Sequence, residues 1–136
     1  MKVLIPIGCR SDEGLSKPII KRLKEDPFFE VHTKKMIRPG NFSVSYNDIE
    51  PFEIIFKPDL VFITGDRIEM TAVACCAFHN NIPIAHYFAG VQNFPLTTLD
   101  DINRHVITLW SDIQFVESKI CMLNVEMLLQ SIKKPT

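Results

Sequence analysis

A chain of 136 residues with 46% hydrophobic content and few glycines is expected to form one globular domain spanning 1–136. A formal net charge of −1 gives no overall electrostatic reason to expect nucleic acid as a partner. No apolar run approaches the length of a membrane span, the longest being Met70 to Phe78.

Met1 to Ile7 is too short and lacks the small-residue site of a signal peptide, and Val3 to Ile7 reads as a first strand. Gly8 to Leu15 reads as a polar loop. Ser16-Lys17-Pro18 is expected to open a helix, with Ile19, Ile20 and Leu23 on its buried side. Asp26-Pro27 ends it, and Phe28 to Thr33 is expected as strand two. Residues 34 to 46 show no clear period and read as a loop. Asn47 or Asp48 is expected to cap a short helix through Phe56.

Leu60 to Ile63 is an unbroken apolar run entered through Pro58 and left through Gly65, the pattern of a strand covered on both faces. Asp66, Arg67 and Glu69 follow at once. A helix apolar nearly all round, about Glu69 to His79, comes next and is expected to be sandwiched. Asn80-Asn81 stops it. Pro83 to Phe88 is strand four. Thr97 and Thr98 each precede an acidic residue three places on, which resembles a capping box for a helix running to about Trp110. Ile113 to Val116 is strand five, and Glu117 to about Ile132 the last helix. Alternating strands and helices imply an α/β, doubly wound, Rossmann-like parallel sheet of about five strands.

Ligands of such sheets sit outside the carboxyl ends of the strands. The residues expected on that rim are Gly8, Arg10, Asp12 and Glu13 after strand one, Lys34 and Lys35 after strand two, and Asp66, Arg67 and Glu69 after strand three. His86 lies within strand four, and Asp100, Asp101, Arg104 and His105 follow it. Glu117 and Ser118 come after strand five. Such a rim suits a polar anionic ligand, with Arg10 or Arg67 forking onto a phosphate or carboxylate. Asp66 is equally open to a role as helix cap. Asp100 with Arg104 and Asp101 with His105 are each four apart, so helix-stabilising pairs are the alternative to function. His86, within an apolar strand, reads more readily as a core histidine than as a catalyst. The first loop is neither a P-loop nor G-x-G-x-x-G. None of the cysteines Cys9, Cys75, Cys76 and Cys121 forms a C-x-x-C pair, so free thiols in a reducing cytoplasm are expected, with no metal site and no cofactor.

Four blocks, taken together and in order, resemble the N-terminal domain of UDP-N-acetylglucosamine 2-epimerases. They are Gly8-Cys9-Arg10-Ser11-Asp12-Glu13-Gly14-Leu15 continuing through Pro27-Phe28-Phe29-Glu30, Lys57-Pro58-Asp59 through Gly65-Asp66-Arg67, Ile82-Pro83-Ile84-Ala85-His86 with Ala89-Gly90, and Asp100-Asp101-Ile102-Asn103-Arg104-His105. The Gly-Asp-Arg and Asp-Asp…Arg-His blocks are more similar to the hydrolysing, sialic-acid-pathway branch.

The resemblance implies the N-terminal half of a GT-B-like fold and amino-sugar chemistry: anti elimination of UDP across C1 and C2, then addition at C1 of UDP or water. It implies Asp66, Asp100, Arg104 and His105 as catalytic residues, and Arg10, Asp12, Arg67 and His86 as substrate-binding residues for a UDP-amino sugar. The family's Glu two places after the strand-four His is Phe88 here, and a family Lys in the first loop aligns with Leu15. The segment from Glu30 to Lys57 is shorter than in the family. The family's nucleotide-binding second domain is expected to be absent. A homologue inactive without a second domain or subunit is therefore expected. The alternatives are a non-catalytic sugar-nucleotide-binding or interaction module, or one subunit of a split GT-B glycosyltransferase. Apolar residues on more than one face of the last helix lead us to expect a homodimer, or a partner docked there or on helix 69 to 79.

Overall fold

The computed structural model describes residues 1–36, 57–95, 98–130 and 132. The elements run β1 (Lys2–Ile7), α1 (Arg10–Glu25), β2 (Glu30–Lys35), β3 (Leu60–Thr64), α2 (Ile68–His79), β4 (Ile84–Tyr87), α3 (Leu99–Trp110), β5 (Ile113–Phe115) and α4 (Lys119–Gln130). The helix expected between Asn47 and Phe56, most of the 34–46 loop and the Thr97 cap lie outside the described residues.

All strand pairings are parallel, in the order β2-β1-β3-β4-β5. The chain leaves β1 toward one edge and returns to its other side with β3. The crevice between the carboxyl ends of β1 and β3 is thus the topological switch point, where open α/β sheets bind ligands.

Core residues alternate between the two faces, as the two-residue period of a strand requires. Leu4, Val61, Ile63 and Ile84 join Met70, Val73, Ala74 and Ala77 of α2 and Ile107 of α3 in one buried cluster. Val3, Ile5, Phe62 and Ala85 face the other way and meet Ile19, Ile20 and Leu23 of α1. Each fully buried aliphatic side chain contributes about 1.5–3 kcal/mol relative to exposure. Helix α2 buries one side in the first cluster, while Thr71, Ala72, Cys75 and Cys76 stay partly exposed and His79 is exposed. The helix is therefore not sandwiched as its all-round apolar sequence leads one to expect.

The largest boundary differences from the sequence expectation fall at α1 and β2. Helix α1 starts at Arg10, six residues before Ser16, so Gly8 to Leu15 is mostly helix. Cys9 is its N-cap, in extended backbone, and a reciprocal capping box links Cys9 and Asp12. Cysteine is not a usual capping residue, and this concealed the start. Pro18 therefore sits inside the helix. Lacking an N–H, Pro18 cannot donate to the carbonyl four residues earlier, that of Gly14. Strand β2 runs Glu30–Lys35, two residues later at each end than expected, so Lys34 and Lys35 belong to the strand and not to the loop, in register Lys2↔Glu30 to Ile7↔Lys35 with β1. Phe28 and Phe29 are drawn into the preceding turn, where the Phe28 N–H donates to the Asp26 carboxylate at 2.9 Å and the two rings meet edge to face at 5.0 Å.

Candidate active site at the switch point

The turn from β1 into α1 places Asp12 beneath the rim. Its carboxylate is buried and accepts the Gly8 and Cys9 N–H groups, each at 3.1 Å. Burial pushes this carboxyl up, and the hydrogen bonds from Cys9 and Gly8 and the Arg67 charge offset it only in part. Asp12 also packs against the turn after β3. A Cβ at Gly65 would come within 2.7 Å of Asp12 Oδ1, and Gly65 has φ +91°. Only glycine fits both the left-handed backbone and that contact. One turn further along α1, the Ser16 and Thr64 hydroxyls meet at 2.9 Å in a buried bond between α1 and the end of β3.

Gly65 delivers Asp66 and Arg67 to the rim. Arg67, the N-cap residue of α2, caps it with backbone alone. Asp66 does not cap α2; its carboxylate accepts from the Arg104 guanidinium. Arg67 is half-exposed and pairs at 3.4 Å with Glu69, which is itself buried.

The other half of the site is built on α3. Thr98 caps this helix by accepting the Asp101 N–H at 3.1 Å, and its hydroxyl donates to the Asp101 carboxylate at 2.9 Å. Asn93 adds its backbone and side-chain N–H groups to the same carboxylate at 3.2 and 3.1 Å. Burial would raise the Asp101 carboxyl, but the bonds from Thr98 and Asn93 outweigh it and hold it well below the usual carboxylate range. Arg104 then spans the crevice. One terminal nitrogen donates to the Val91 carbonyl and, at 3.2 Å, to Asp101; the other donates to Asp66. Three acceptors from three segments thus fix one guanidinium.

Helical pairing differs from the four-residue spacings read in the sequence. Arg104 pairs with Asp101, three positions back. Asp100 is exposed, and no described residue hydrogen-bonds its carboxylate. The distinction follows from the Thr98 cap, which turns Asp101 inward. His105 is half-buried, with Nδ1 enclosed and without a partner among the described residues. Burial first, then the Arg104 charge, pushes its pKa down.

His86 is fully buried in β4, with Nδ1 3.1 Å from the Thr108 hydroxyl oxygen. Burial drives its pKa to about 4, with the Arg104 and His105 charges adding to the fall and the Gly65 backbone opposing it. It is neutral at pH 7. Nδ1 is thereby satisfied, and Nε2 has no hydrogen-bond partner among the described residues. Phe88 follows one residue beyond β4 with φ +67°, a rare backbone for a bulky residue. Its ring lies 4.3 Å from that of Tyr87. Arg10 is exposed at the head of α1, with no described partner.

The structure therefore brings Asp66, Arg104 and Asp101 into one network and sets Arg67 beside it. Asp12 and His86 lie beneath the surface, and Arg10 and Asp100 stay on it. Asn93, the Val91 carbonyl and Thr108 are members that sequence patterns did not single out; only the Thr98–Asp101 spacing announced the inward acid. Among the described residues, no cluster of three His, Cys, Asp or Glu side chains is arranged to hold a metal ion, and all four cysteines are free. No helix among those residues is long and apolar enough to cross a membrane.

This doubly wound sheet is a Rossmann-like domain, equivalent to the N-terminal half of a GT-B-like fold. The UDP-N-acetylglucosamine 2-epimerase family model matches residues 45–131, and the chain belongs to that family. It is 26% identical over 154 residues to a hydrolysing UDP-N,N'-diacetylbacillosamine 2-epimerase of Legionella pneumophila, covering 87% of this chain and 40% of the relative. It is 37% identical over 100 residues to a hydrolysing GDP/UDP-N,N'-diacetylbacillosamine 2-epimerase of Campylobacter jejuni, covering 74% of this chain and 26% of that one. In fold it is similar to UDP-GlcNAc 2-epimerase of Neisseria meningitidis, solved with UDP-GlcNAc bound. The TM-score is 0.82 at 21% identity, over 98% of this chain and 44% of that one. The Methanocaldococcus jannaschii UDP-GlcNAc 2-epimerase superposes with a TM-score of 0.81 at 23% identity, over 98% and 43%. The chain thus spans less than half the length of each of these proteins.

Proposed function

We propose that residues 1–136 form a single domain that supplies the N-terminal half of a UDP-amino-sugar 2-epimerase site, and that turnover needs a second domain or subunit. The observation that carries this reading is the Asp66–Arg104 pair at the switch point, which no local helix requirement explains.

The proposed chemistry is elimination of UDP across C1 and C2. It needs a group to take the C2 proton and cations to stabilise the leaving diphosphate. The exposed Arg10 and the half-exposed Arg67 suit the diphosphate. Asp66 and Asp100 are the carboxylates assigned to proton transfer, with Arg104 and His105 completing that side. Asp12 and His86, assigned to substrate binding by resemblance, are buried, and in this proposal they act through the groups above them.

A second subunit is favoured by the surface of α4. Ile120 and Met127 are each 71% exposed and Leu123 53%. A homodimer is the alternative occupant. Light scattering across a concentration series decides whether the chain associates with itself; a monomer at every concentration removes the homodimer.

Phe88 favours a second reading, a sugar-nucleotide-binding module without turnover, because an aromatic ring cannot accept the C2 proton. Incubation with UDP-N-acetylglucosamine, followed by product analysis and a binding titration, separates the readings. Release of UDP or an epimerised sugar, lost in Asp66→Asn, supports the enzyme half. Binding without product, even with a partner carrying the second domain, supports the module. Absence of any binding removes both.

A further inference from the structure

Beneath the Asp66–Arg104 pair, Thr108 on α3 is fully buried and makes two side-chain contacts. Its hydroxyl donates to the Arg104 carbonyl oxygen at 2.9 Å. A carbonyl only accepts, so in that bond the single hydroxyl proton lies toward Arg104. His86 Nδ1 lies 3.1 Å from the same hydroxyl oxygen and donates to it when the hydroxyl proton points to the carbonyl. In that arrangement the neutral ring is protonated at Nδ1 and Nε2 carries the lone pair. The Thr108 carbonyl in turn accepts from Gln114 Nε2 at 2.9 Å. One residue of α3 thus joins β4 and β5 by hydrogen bonds.

Arg104 and Thr108 are four residues apart and share one face of α3. A rotation of α3 that carried the guanidinium away from Asp66 would also separate Thr108 from His86. We propose that Thr108 is a positioning residue of this site: by holding His86 in the Nδ1-protonated form and α3 against β4, it sets the direction from which Arg104 reaches Asp66. The proposal rests on the reading of Asp66 and Arg104 as the ligand-facing pair, whereas the tautomer is read from the Thr108 hydroxyl placed on the Arg104 carbonyl.

The test is nitrogen-15 NMR of the whole chain at neutral pH, recording the His86 ring and the Arg104 guanidinium, with UDP titrated into the same samples. The wild-type ring is expected to show a protonated Nδ1 and an unprotonated Nε2. Thr108→Val keeps the shape and removes the hydroxyl. It is expected to release the tautomer preference, shift the Arg104 signals and weaken UDP binding about tenfold, a change of about 1.4 kcal/mol. Thr108→Ser is expected to restore all three. A wild-type ring protonated at Nε2 overturns the proposal, and it does so even where Thr108→Val does not fold. A folded Thr108→Val with unchanged His86 and Arg104 signals overturns it as well. If wild-type protein binds no UDP while the tautomer and its loss in Thr108→Val are observed, the ligand reading falls and the positioning of Arg104 by Thr108 stands.

Discussion

Arg104 donates to the Asp66 carboxylate across 38 positions of sequence, joining α3 to the turn after β3. The side chains are 14% and 22% exposed, so solvent screens the pair only in part. Arg104→Gln should cost about 1–3 kcal/mol, because Asp66, Asp101 and the Val91 carbonyl all lose a charged donor. Asp66→Asn should cost less. A double-mutant cycle read by urea denaturation should give a coupling of about 0.5–1 kcal/mol between the two. A coupling of zero would show that the contact adds nothing to stability.

His86 makes stability fall in mild acid. Its pKa is about 4 in the folded protein against about 6.5 in the unfolded chain. The unfolded state therefore binds the proton first. The stabilisation is complete above about pH 6.5 and is lost as pH drops toward 4, at roughly 1.4 kcal/mol per pH unit and about 3 kcal/mol in all. His105 is shifted in the same direction and adds to the slope. His86→Gln should flatten the profile across this window. A slope unchanged in that variant would place the titration elsewhere.

Asp101 and Asp12 should act in opposite directions at lower pH. The Asp101 carboxyl is held below its ordinary value, so its contribution is present above about pH 4 and lost as pH falls further. Asp12 is raised, so its contribution is present below about pH 4 and declines as pH rises through its folded value. Asp101→Asn should reduce the loss of stability below about pH 4. Asp12→Asn should leave that range alone and remove the gain in stability that the wild type shows above it, as pH falls through the Asp12 folded value. Thermal melts at successive pH values compare the three proteins, and parallel curves would contradict both assignments.

Gly90 should tolerate no side chain. It has φ +78°, and a Cβ there would collide with the Cys121 carbonyl oxygen on α4. The Asn124 side chain also donates to its carbonyl at 2.9 Å. Backbone cannot yield as a flexible side chain does, so Gly90→Ala should cost more than about 3 kcal/mol and loosen α4. Gly65→Ala meets a movable carboxylate and should cost less, about 1–3 kcal/mol, while displacing Asp12. Equal midpoints for the two variants in denaturant would argue against this ranking.

Asn81 supplies a change in the other direction. It sits just past the end of α2 with φ +56°, and its side chain is exposed. Asn81→Gly should be neutral or stabilising by up to about 0.5 kcal/mol, since glycine occupies this region without a Cβ penalty. A loss of stability would mean that the Asn81 side chain makes a contact that matters.

The fold was legible because its signals are local. The unbroken apolar run Leu60 to Ile63 and the apolar helix after it announce a strand covered on both faces and a helix packed upon it. Helix α1 was harder to place, because its cap is Cys9 and its interior holds Pro18. The capping bonds of Asp12 make that start workable, and they are a property of the folded backbone.

By itself, the sequence determined the parallel α/β order, the rim on which charges collect and, through four ordered blocks, the family. These depend on periodicity and on residue type. The tertiary structure alone decided which charges meet. Asp66 and Arg104 lie on different elements, and Asp101 displaces Asp100 as the inward acid because Thr98 and Asn93 satisfy it there. Asp12 and His86 sink below the rim because the β1–α1 turn and β4 bury them, so a polar residue in the matching position need not touch a ligand. The physical reason is that a buried carboxylate or imidazole stays where its hydrogen bonds are completed, and those partners come from distant parts of the chain.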